Sequence, residues 1–212
     1  MKIQEPRIEE IVFHVPEGYT IEQWIEKVGR TCYKSENKIT ENSAKKFIRM
    51  IYKRGHHAIL EHCVASVKIS ADRGLSHELV RHRLAAYAQE STRYCNYGKG
   101  KFGNEITVIS QPGLEGEQLE VWNMAMRSAE ISYMNLLQQG VSPQIARSVL
   151  PISVKAEIVV TANLREWIHI FKMRCDSAAH PIIRKIAIQI LDEFNKRIPS
   201  IYEKQAEGFL ND

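Results

Sequence analysis

The side chains best suited to chemistry are concentrated in residues 76–94, where arginines and histidines alternate with small and apolar residues. Arg81, His82 and Arg83 are consecutive, and their neighbours include Leu79, Val80, Leu84, Ala85 and Ala86. The pattern predicts a helix over residues 76–87, on which Arg81 and Arg83 lie about 200° apart. The apolar neighbours indicate that the arginines emerge at buried or subunit-facing positions, where a guanidinium needs an anion, a carboxylate or a stacked ring. The residues alone leave two alternatives open, an anionic-ligand site and a structural ion-pair network.

A second titratable group, His56, His57, Glu61 and His62, raises the possibility of a metal site. Catalytic zinc helices place two histidines one turn apart with a glutamate beside one of them, as in HExxH or HxxEH. Glu61 follows His57 by four residues and His62 follows it by five, so neither pattern fits. We predict no metal here, and histidines with hydrogen-bonded partners in a turn are the simpler interpretation.

A literal GxGxxG match spans residues 98–103. The dinucleotide fingerprint needs a strand before it and a helix after it. Here polar residues precede the match and a strand-like segment, residues 105–109, follows it. The pattern therefore predicts a mobile basic loop.

Hydrophobic periodicity and the residues typical of helix ends predict the strands and helices around these groups. Strands are predicted over residues 8–15, 63–70, 105–109 and 155–163. Helices are predicted from a capping box at Thr20, and over residues 42–53 (with Gly55 as the stop), 116–139, 143 onward, 165–174 and 181–196. The mixture predicts an α+β fold, with helices packed on a modest mixed or antiparallel sheet in a single domain over residues 1–212.

Composition excludes several classes of protein. The 212 residues are 44% hydrophobic and 25% charged, which is typical of a soluble globular chain. The four cysteines are widely spaced with no CxxC, which argues against a disulfide framework or a zinc ribbon and favours a reducing cytoplasm. A net charge of +4 is too small to indicate nucleic acid, and no apolar run is long enough to predict a membrane span.

Arg81-His82-Arg83, followed by seven residues and then Ser91, resembles the RHRx7S signature of the flavin-dependent thymidylate synthases. The similarity continues through Thr92-Arg93-Tyr94. Further matching blocks, in the order of that family, are Gly55-His56 with Glu61-His62, Ala146-Arg147-Ser148-Val149-Leu150-Pro151, Asn163-Leu164-Arg165 and Met173-Arg174.

The resemblance implies an activity and its partners. The expected reaction is the reductive methylation of dUMP to dTMP, with methylenetetrahydrofolate as the one-carbon donor, bound FAD as the hydride carrier and NADPH as the reductant. FAD is expected at subunit interfaces of a homotetramer with shared active sites. No cysteine nucleophile is implied, which agrees with the absence of an evident Cys–His arrangement in the sequence.

The resemblance also implies which residues contact each ligand. The expected FAD contacts are His56, Ala58, Glu61, Arg81, His82, Arg83, Gln89, Asn163, Arg165 and His169. The expected dUMP contacts are Glu78, Arg81, Gln89, Ser91, Thr92, Arg93, Arg147 and Arg174, with Arg81 reaching dUMP from a second protomer. Arg174 is the expected catalytic residue, because it matches the arginine that stabilises uracil deprotonated at N3.

Three of these positions depart from the usual residue of the family. Ala58 stands in place of a Ser or Thr, so only its backbone can contact FAD. Glu78 stands in place of a Gln that donates to dUMP, and His169 in place of an Asn, where a ring can still stack or donate. On the predicted helix Arg165 and His169 share a face, whereas Arg174 lies about 180° from Arg165.

Three other classes of function remain as alternatives. One is a related flavin or nucleotide enzyme acting on another pyrimidine. The second is a nucleic-acid-binding module, against which the mild charge and the apolar setting of the arginines argue. The third is a structural homo-oligomer without catalysis.

Overall fold

The computed structural model describes residues 1–210; the predicted domain, 1–212, also includes two residues that lie outside this range. The strands are β1 (Lys2–Gln4), β2 (Arg7–His14), β3 (Val64–Asp72), β4 (Ala86–Gln89), β5 (Thr107–Ile109) and β6 (Lys155–Asn163). The α-helices are α1 (Ile21–Tyr33), α2 (Ser43–Lys53), α3 (Arg73–Leu79), α4 (Gly116–Gln138), α5 (Pro143–Ala146), α6 (Leu164–Arg174), α7 (Pro181–Arg197) and α8 (Pro199–Leu210). The predicted α+β class, mixed helix and sheet, is confirmed.

The strands form two sheets. The larger has the order β2-β3-β6-β4, and the smaller pairs β1 with β5 in parallel, with Lys2 opposite Thr107. Side chains alternate in burial along β6, and the buried set is Ala156, Ile158, Val160 and Ala162, as its period of two predicts. No helix within residues 1–210 is long and apolar enough to cross a membrane.

Local end signals in the sequence are confirmed at several elements. The Thr20 hydroxyl accepts from the Gln23 N–H at 3.2 Å while the Gln23 side chain accepts from the Thr20 N–H at 2.9 Å, which completes the capping box of α1. Gly55 follows α2 with φ +73°, the left-handed conformation that glycine adopts without a Cβ clash. Residues 98–103 contain a short 3₁₀ turn and lead toward β5 without an intervening helix, so they are no dinucleotide fingerprint; their mobility stays a prediction.

The helix predicted over residues 76–87 is wrong in its second half. Helix α3 starts earlier, because the Asp72 side chain caps it by accepting from the Leu75 N–H at 2.7 Å, and it ends at Leu79. Residues 80–85 are turn and bend, and β4 follows as an edge strand beside β6. Hydrogen bonding in the sheet outweighs the helical pattern of residues 86–89, so the prediction that Arg81 and Arg83 lie on opposite helix faces does not apply.

The chain divides into two compact units. The first contains residues 1–7, 69–81 and 88–159, and its apolar core includes Tyr97, Ile106, Val108, Met126, Tyr133, Ala146 and Val154. The second contains residues 8–68, 82–87 and 160–212, and its core includes aromatic rings with centroids 5.2–5.6 Å apart, from Trp167, Phe171, Phe194 and Tyr202. The single domain over residues 1–212 stays a prediction.

Candidate active site

The arginine-rich turn presents its two guanidinium groups to solvent. Arg81 and Arg83 are exposed, and neither makes an ion pair within residues 1–210. His82, between them, is only 5% exposed, and its carbonyl accepts from the Tyr87 hydroxyl at 2.8 Å. Leu84, in the same turn, is 77% exposed. Exposed guanidinium groups with no ion pair within residues 1–210 are available to an anionic ligand.

His82 is held as a neutral hydrogen-bond acceptor. The Arg174 Nε–H donates to His82 Nε2 at 3.0 Å, which places the ring's own proton on Nδ1. Burial lowers the pKa of His82 to about 4, and the charges of Arg174 and His169 act in the same direction. His169 packs edge-on against His82, with ring centroids 5.5 Å apart. The bond between Arg174 and His82 joins the expected catalytic arginine to an expected flavin residue. Sequence spacing alone did not indicate this bond.

Three potential metal ligands also meet here. One ligand atom each from His82, Glu166 and His169 lies within 4.8 Å of the others. The Arg174 guanidinium occupies His82 Nε2, and its positive charge opposes a cation bound to this ring. The expectation of no metal therefore stays a prediction, with an electrostatic reason in its favour.

The other expected flavin residues of the second unit lie at element ends. His56 Nδ1 lies 2.6 Å from the Tyr33 hydroxyl, and Ala58 is exposed. Arg165 and Glu61, both about half exposed, form an ion pair. Asn163 caps α6, since its Oδ1 accepts from the Glu166 N–H at 2.9 Å. The cap uses the Asn163 oxygen and leaves its amide N–H groups as donors.

The expected nucleotide contacts of the first unit come together around a turn after β4. The Ser91 hydroxyl accepts from the Arg93 N–H at 3.3 Å, and the buried Thr92 hydroxyl accepts from Arg147 Nη1 at 3.3 Å. Arg147 belongs to a 3₁₀ turn after α5, which is shorter than the helix expected there. Gln89 donates to the Ser76 hydroxyl at 2.9 Å. These contacts place the Arg147 guanidinium and two hydroxyl groups at the turn, while the Arg93 guanidinium lies 5.5 Å from the Tyr94 ring centroid. Guanidinium and hydroxyl groups are donors suited to phosphate.

The expected site residues divide between the units. The first unit contains Glu78, Arg81, Gln89, Ser91, Thr92, Arg93 and Arg147. The second contains His56, Ala58, Glu61, His82, Arg83, Asn163, Arg165, His169 and Arg174.

The sequence interpretation overlooked Glu90, Tyr97 and Lys155, which form a polar network at the base of the Ser91 turn. Glu90 lies inside the seven-residue spacer of the signature, and that position was a usable signal. Tyr97 and Lys155 had none, because they meet Glu90 only through tertiary contacts.

The fold is that of a mixed helix-and-sheet protein, and each unit contains arginines at positions expected to contact anionic ligands. Residues 17–200 match the family model described as Thymidylate synthase complementing protein, and the chain belongs to this family. The resemblance carried by the RHRx7S signature is thereby confirmed.

Curated relatives are consistent with this family. The chain is 32% identical over 188 residues to a flavin-dependent thymidylate synthase from Geobacter sulfurreducens, covering 85% of this chain and 80% of the relative. It is 34% identical over 170 residues to one from Pyrococcus furiosus, covering 80% and 70%. The fold resembles the crystal structure of the UMP/dUMP methylase PolB from Streptomyces cacaoi bound with 5-Br dUMP, with a TM-score of 0.76, 22% identity and 96% of each chain covered.

Proposed function

We propose that this protein is a flavin-dependent thymidylate synthase, which reductively methylates dUMP to dTMP with FAD as cofactor. Family membership and the names of the relatives support the reaction. The main supporting observation is the arginine turn, where two guanidinium groups with no ion pair within residues 1–210 flank a neutral histidine held by Arg174. Methylenetetrahydrofolate as donor and NADPH as reductant are part of the same proposal.

The donor set of the second unit fits a flavin dinucleotide. Arg83, with no ion pair within residues 1–210, suits a pyrophosphate, and Asn163 keeps free amide donors for a ring edge. His56, Glu61, His82, Arg165 and His169 would complete the contacts of this unit. Arg81 and Gln89 are the flavin contacts expected of the first unit. When bound, the flavin supplies the hydride that reduces the transferred carbon to a methyl group.

The turn after β4 would hold the nucleotide by its phosphate and sugar. Arg93 and Arg147 supply positive charge, and Ser91 and Thr92 supply hydroxyl groups. Within residues 1–210 the Ser91 hydroxyl accepts from the Arg93 N–H, and no His or Lys side chain is hydrogen-bonded to it as an activating base would be. We therefore assign Ser91 to binding.

Arg174 would act on the pyrimidine ring. Methylation requires a nucleophilic C5, and a fixed cation at the N3–C2 edge stabilises the anionic ring that provides it. The Arg174 Nε–H is bonded to His82, and this bond fixes the plane in which the guanidinium lies. His82 can accept that bond only as a neutral ring, and its lowered pKa keeps it neutral near pH 7.

The tetramer with shared sites belongs to this proposal. Arg81, Arg83 and Leu84 are exposed on one chain, although each lies among apolar residues in sequence. Subunit contact would cover Leu84 and bring Arg81 to the nucleotide of a second protomer. Sedimentation should give a tetramer, and a monomer that binds FAD tightly would contradict it.

Mixing two impaired variants tests the sharing directly. If Arg81 and Arg174 of one site come from different protomers, tetramers reassembled from Arg81→Ala and Arg174→Ala chains recover activity, because roughly a quarter of the sites then contain both arginines. Sites built within one chain would recover none.

The assay for the function is oxidation of the reduced flavin protein on addition of dUMP, with and without methylenetetrahydrofolate. We expect dTMP only when both are present, and a flavin spectrum from the purified protein. An arm with UMP in place of dUMP tests the alternative of another pyrimidine. A colourless protein that binds nucleic acid, or one without turnover, would contradict the proposal.

A further inference from the structure

The turn that carries Ser91, Thr92 and Arg93 is closed at its base by a bond between two side chains. Glu90 precedes the turn and Tyr97 follows it, and the buried Tyr97 hydroxyl donates to Glu90 Oε1 at 2.9 Å. Inside the turn, the N–H groups of residues 94 and 95 donate to the Ser91 carbonyl at 3.1 and 2.9 Å. The backbone of the turn is therefore fixed both internally and across its two ends.

Glu90 is in turn anchored to β6. Its carboxylate, 13% exposed, lies 3.2 Å from Lys155 Nζ and accepts from the Glu157 N–H at 3.2 Å. The Glu90 N–H donates to the Glu157 carbonyl at 2.8 Å, and Lys155 Nζ lies 2.9 Å from Glu157 Oε1. A carboxylate this buried requires such partners, because an unpaired buried charge is strongly destabilising.

Tyr97 and Lys155 keep their protonation states around neutral pH, because the pKa of each is raised. Burial lowers the pKa of Lys155, but its hydrogen bonds and ion pairs with Glu157 and Glu90 raise the pKa by more. Burial and then the Glu90 charge raise the pKa of Tyr97 far above its usual value. Tyr97 therefore remains a donor and Lys155 a cation, and the network acts as a fixed brace.

We propose that Tyr97 and Lys155 are positioning residues for the nucleotide, which hold Glu90 and so preorganise residues 91–93 for the phosphate and sugar of dUMP. This inference rests on the proposed function, which assigns residues 91–93 to dUMP binding. Neither residue is assigned to the ligand itself. An ordered turn lowers the conformational entropy that binding must remove, so loosening it weakens dUMP binding and leaves the chemical step intact.

The test compares steady-state kinetics of the holoenzyme and its variants. Tyr97→Phe keeps the ring and removes the hydroxyl, Lys155→Met removes the charge, and Lys155→Arg restores it. We expect Tyr97→Phe and Lys155→Met to raise the KM for dUMP about tenfold, with kcat within about twofold, and Lys155→Arg to recover most of the loss. Tyr133→Phe is the matched control, because Tyr133 packs in the same core and its hydroxyl accepts from the Tyr97 N–H at 3.4 Å, whereas within residues 1–210 it is not a partner of the Glu90 carboxylate. Its KM should not change.

Melting temperatures of all variants separate positioning from mere stability. A purely structural network would lower the melting temperature of Tyr97→Phe without changing its KM, and that result would overturn the inference, as would a loss confined to kcat. Tyr97→Phe decides the matter even if Lys155→Met fails to fold. Wild-type protein without dUMP-dependent flavin oxidation would instead overturn the proposed function, so the two failures are distinguishable.

Discussion

Replacement of Arg174 tests the assignment of the catalytic residue. Arg174→Ala removes the cation expected beside the pyrimidine ring together with the donor to His82 Nε2, 3.0 Å away. A charge-assisted hydrogen bond to an anionic ring contributes about 1.5–3 kcal/mol, equivalent to about ten- to a hundredfold in rate. We expect kcat to fall by at least that range. Arg174→Lys should fall less, because lysine keeps the charge but cannot bond His82 and the ring with one planar fork.

The structure adds a second readout for the same variant. Arg174 lowers the pKa of His82, after the larger effect of burial, so its removal should raise that pKa from about 4 toward 6.5. NMR titration of the His82 ring in Arg174→Ala measures this shift. An unchanged titration would show that the two side chains do not meet in solution.

The assay measures kcat at saturating dUMP, dUMP affinity and flavin occupancy for both variants. Flavin content should stay near normal, because Arg174 lies about 180° around α6 from Arg165, and a partial loss would report on its bond to His82, an expected flavin contact. A structural role for Arg174 gives a different pattern, with lost flavin or a lowered melting temperature but normal turnover in the remaining holoenzyme. That pattern would refute the assignment.

Three further predictions concern single side chains. Ser91→Ala should raise the KM for dUMP and leave measurable turnover; complete loss of chemistry at saturating dUMP, with normal flavin content, would favour a nucleophile. The pKa of His82 is about 4 in the folded chain and 6.5 without its neighbours, so its stabilising contribution is present above pH 6.5 and is lost as pH falls from 6.5 to 4, by up to about 3 kcal/mol. Urea unfolding of wild type against His82→Gln isolates that loss, and equal pH dependence in both would contradict it. Thr20→Ala should lower the free energy of unfolding by about 1 kcal/mol, because α1 loses its N-cap; an unchanged urea midpoint would show that the cap contributes nothing.

Much of the fold follows from local pattern. The period of two along residues 155–163 predicts β6 with its buried face, and glycines mark the ends of α2 and α4 near the expected positions. The strand β1 and the helix α8 were missed, since a three-residue strand and a polar C-terminal helix have weak periodic signals.

The limits of local pattern are clearest at residues 80–89. Their helical signal is real, yet β4 replaces the helix because its backbone groups pair with β6, a partner some seventy residues away in sequence. A window of ten residues contains no information about such a partner. The same limit hid the bond between Arg174 and His82 and the brace formed by Glu90, Tyr97 and Lys155.

The family follows from the amino-acid sequence alone, because the RHRx7S signature and the ordered blocks around it are long and specific, and the family model matches residues 17–200. The sequence also determined where most helices and strands begin and end, since caps and periodicity act over a few neighbouring residues. Three features depend on contacts between distant segments: the exposure of the arginine turn, the burial of a neutral His82 against Arg174, and the ion pair of Lys155 with Glu90. Burial, and the electrostatics that depend on it, come from contacts between residues far apart in the chain, which no local spacing specifies.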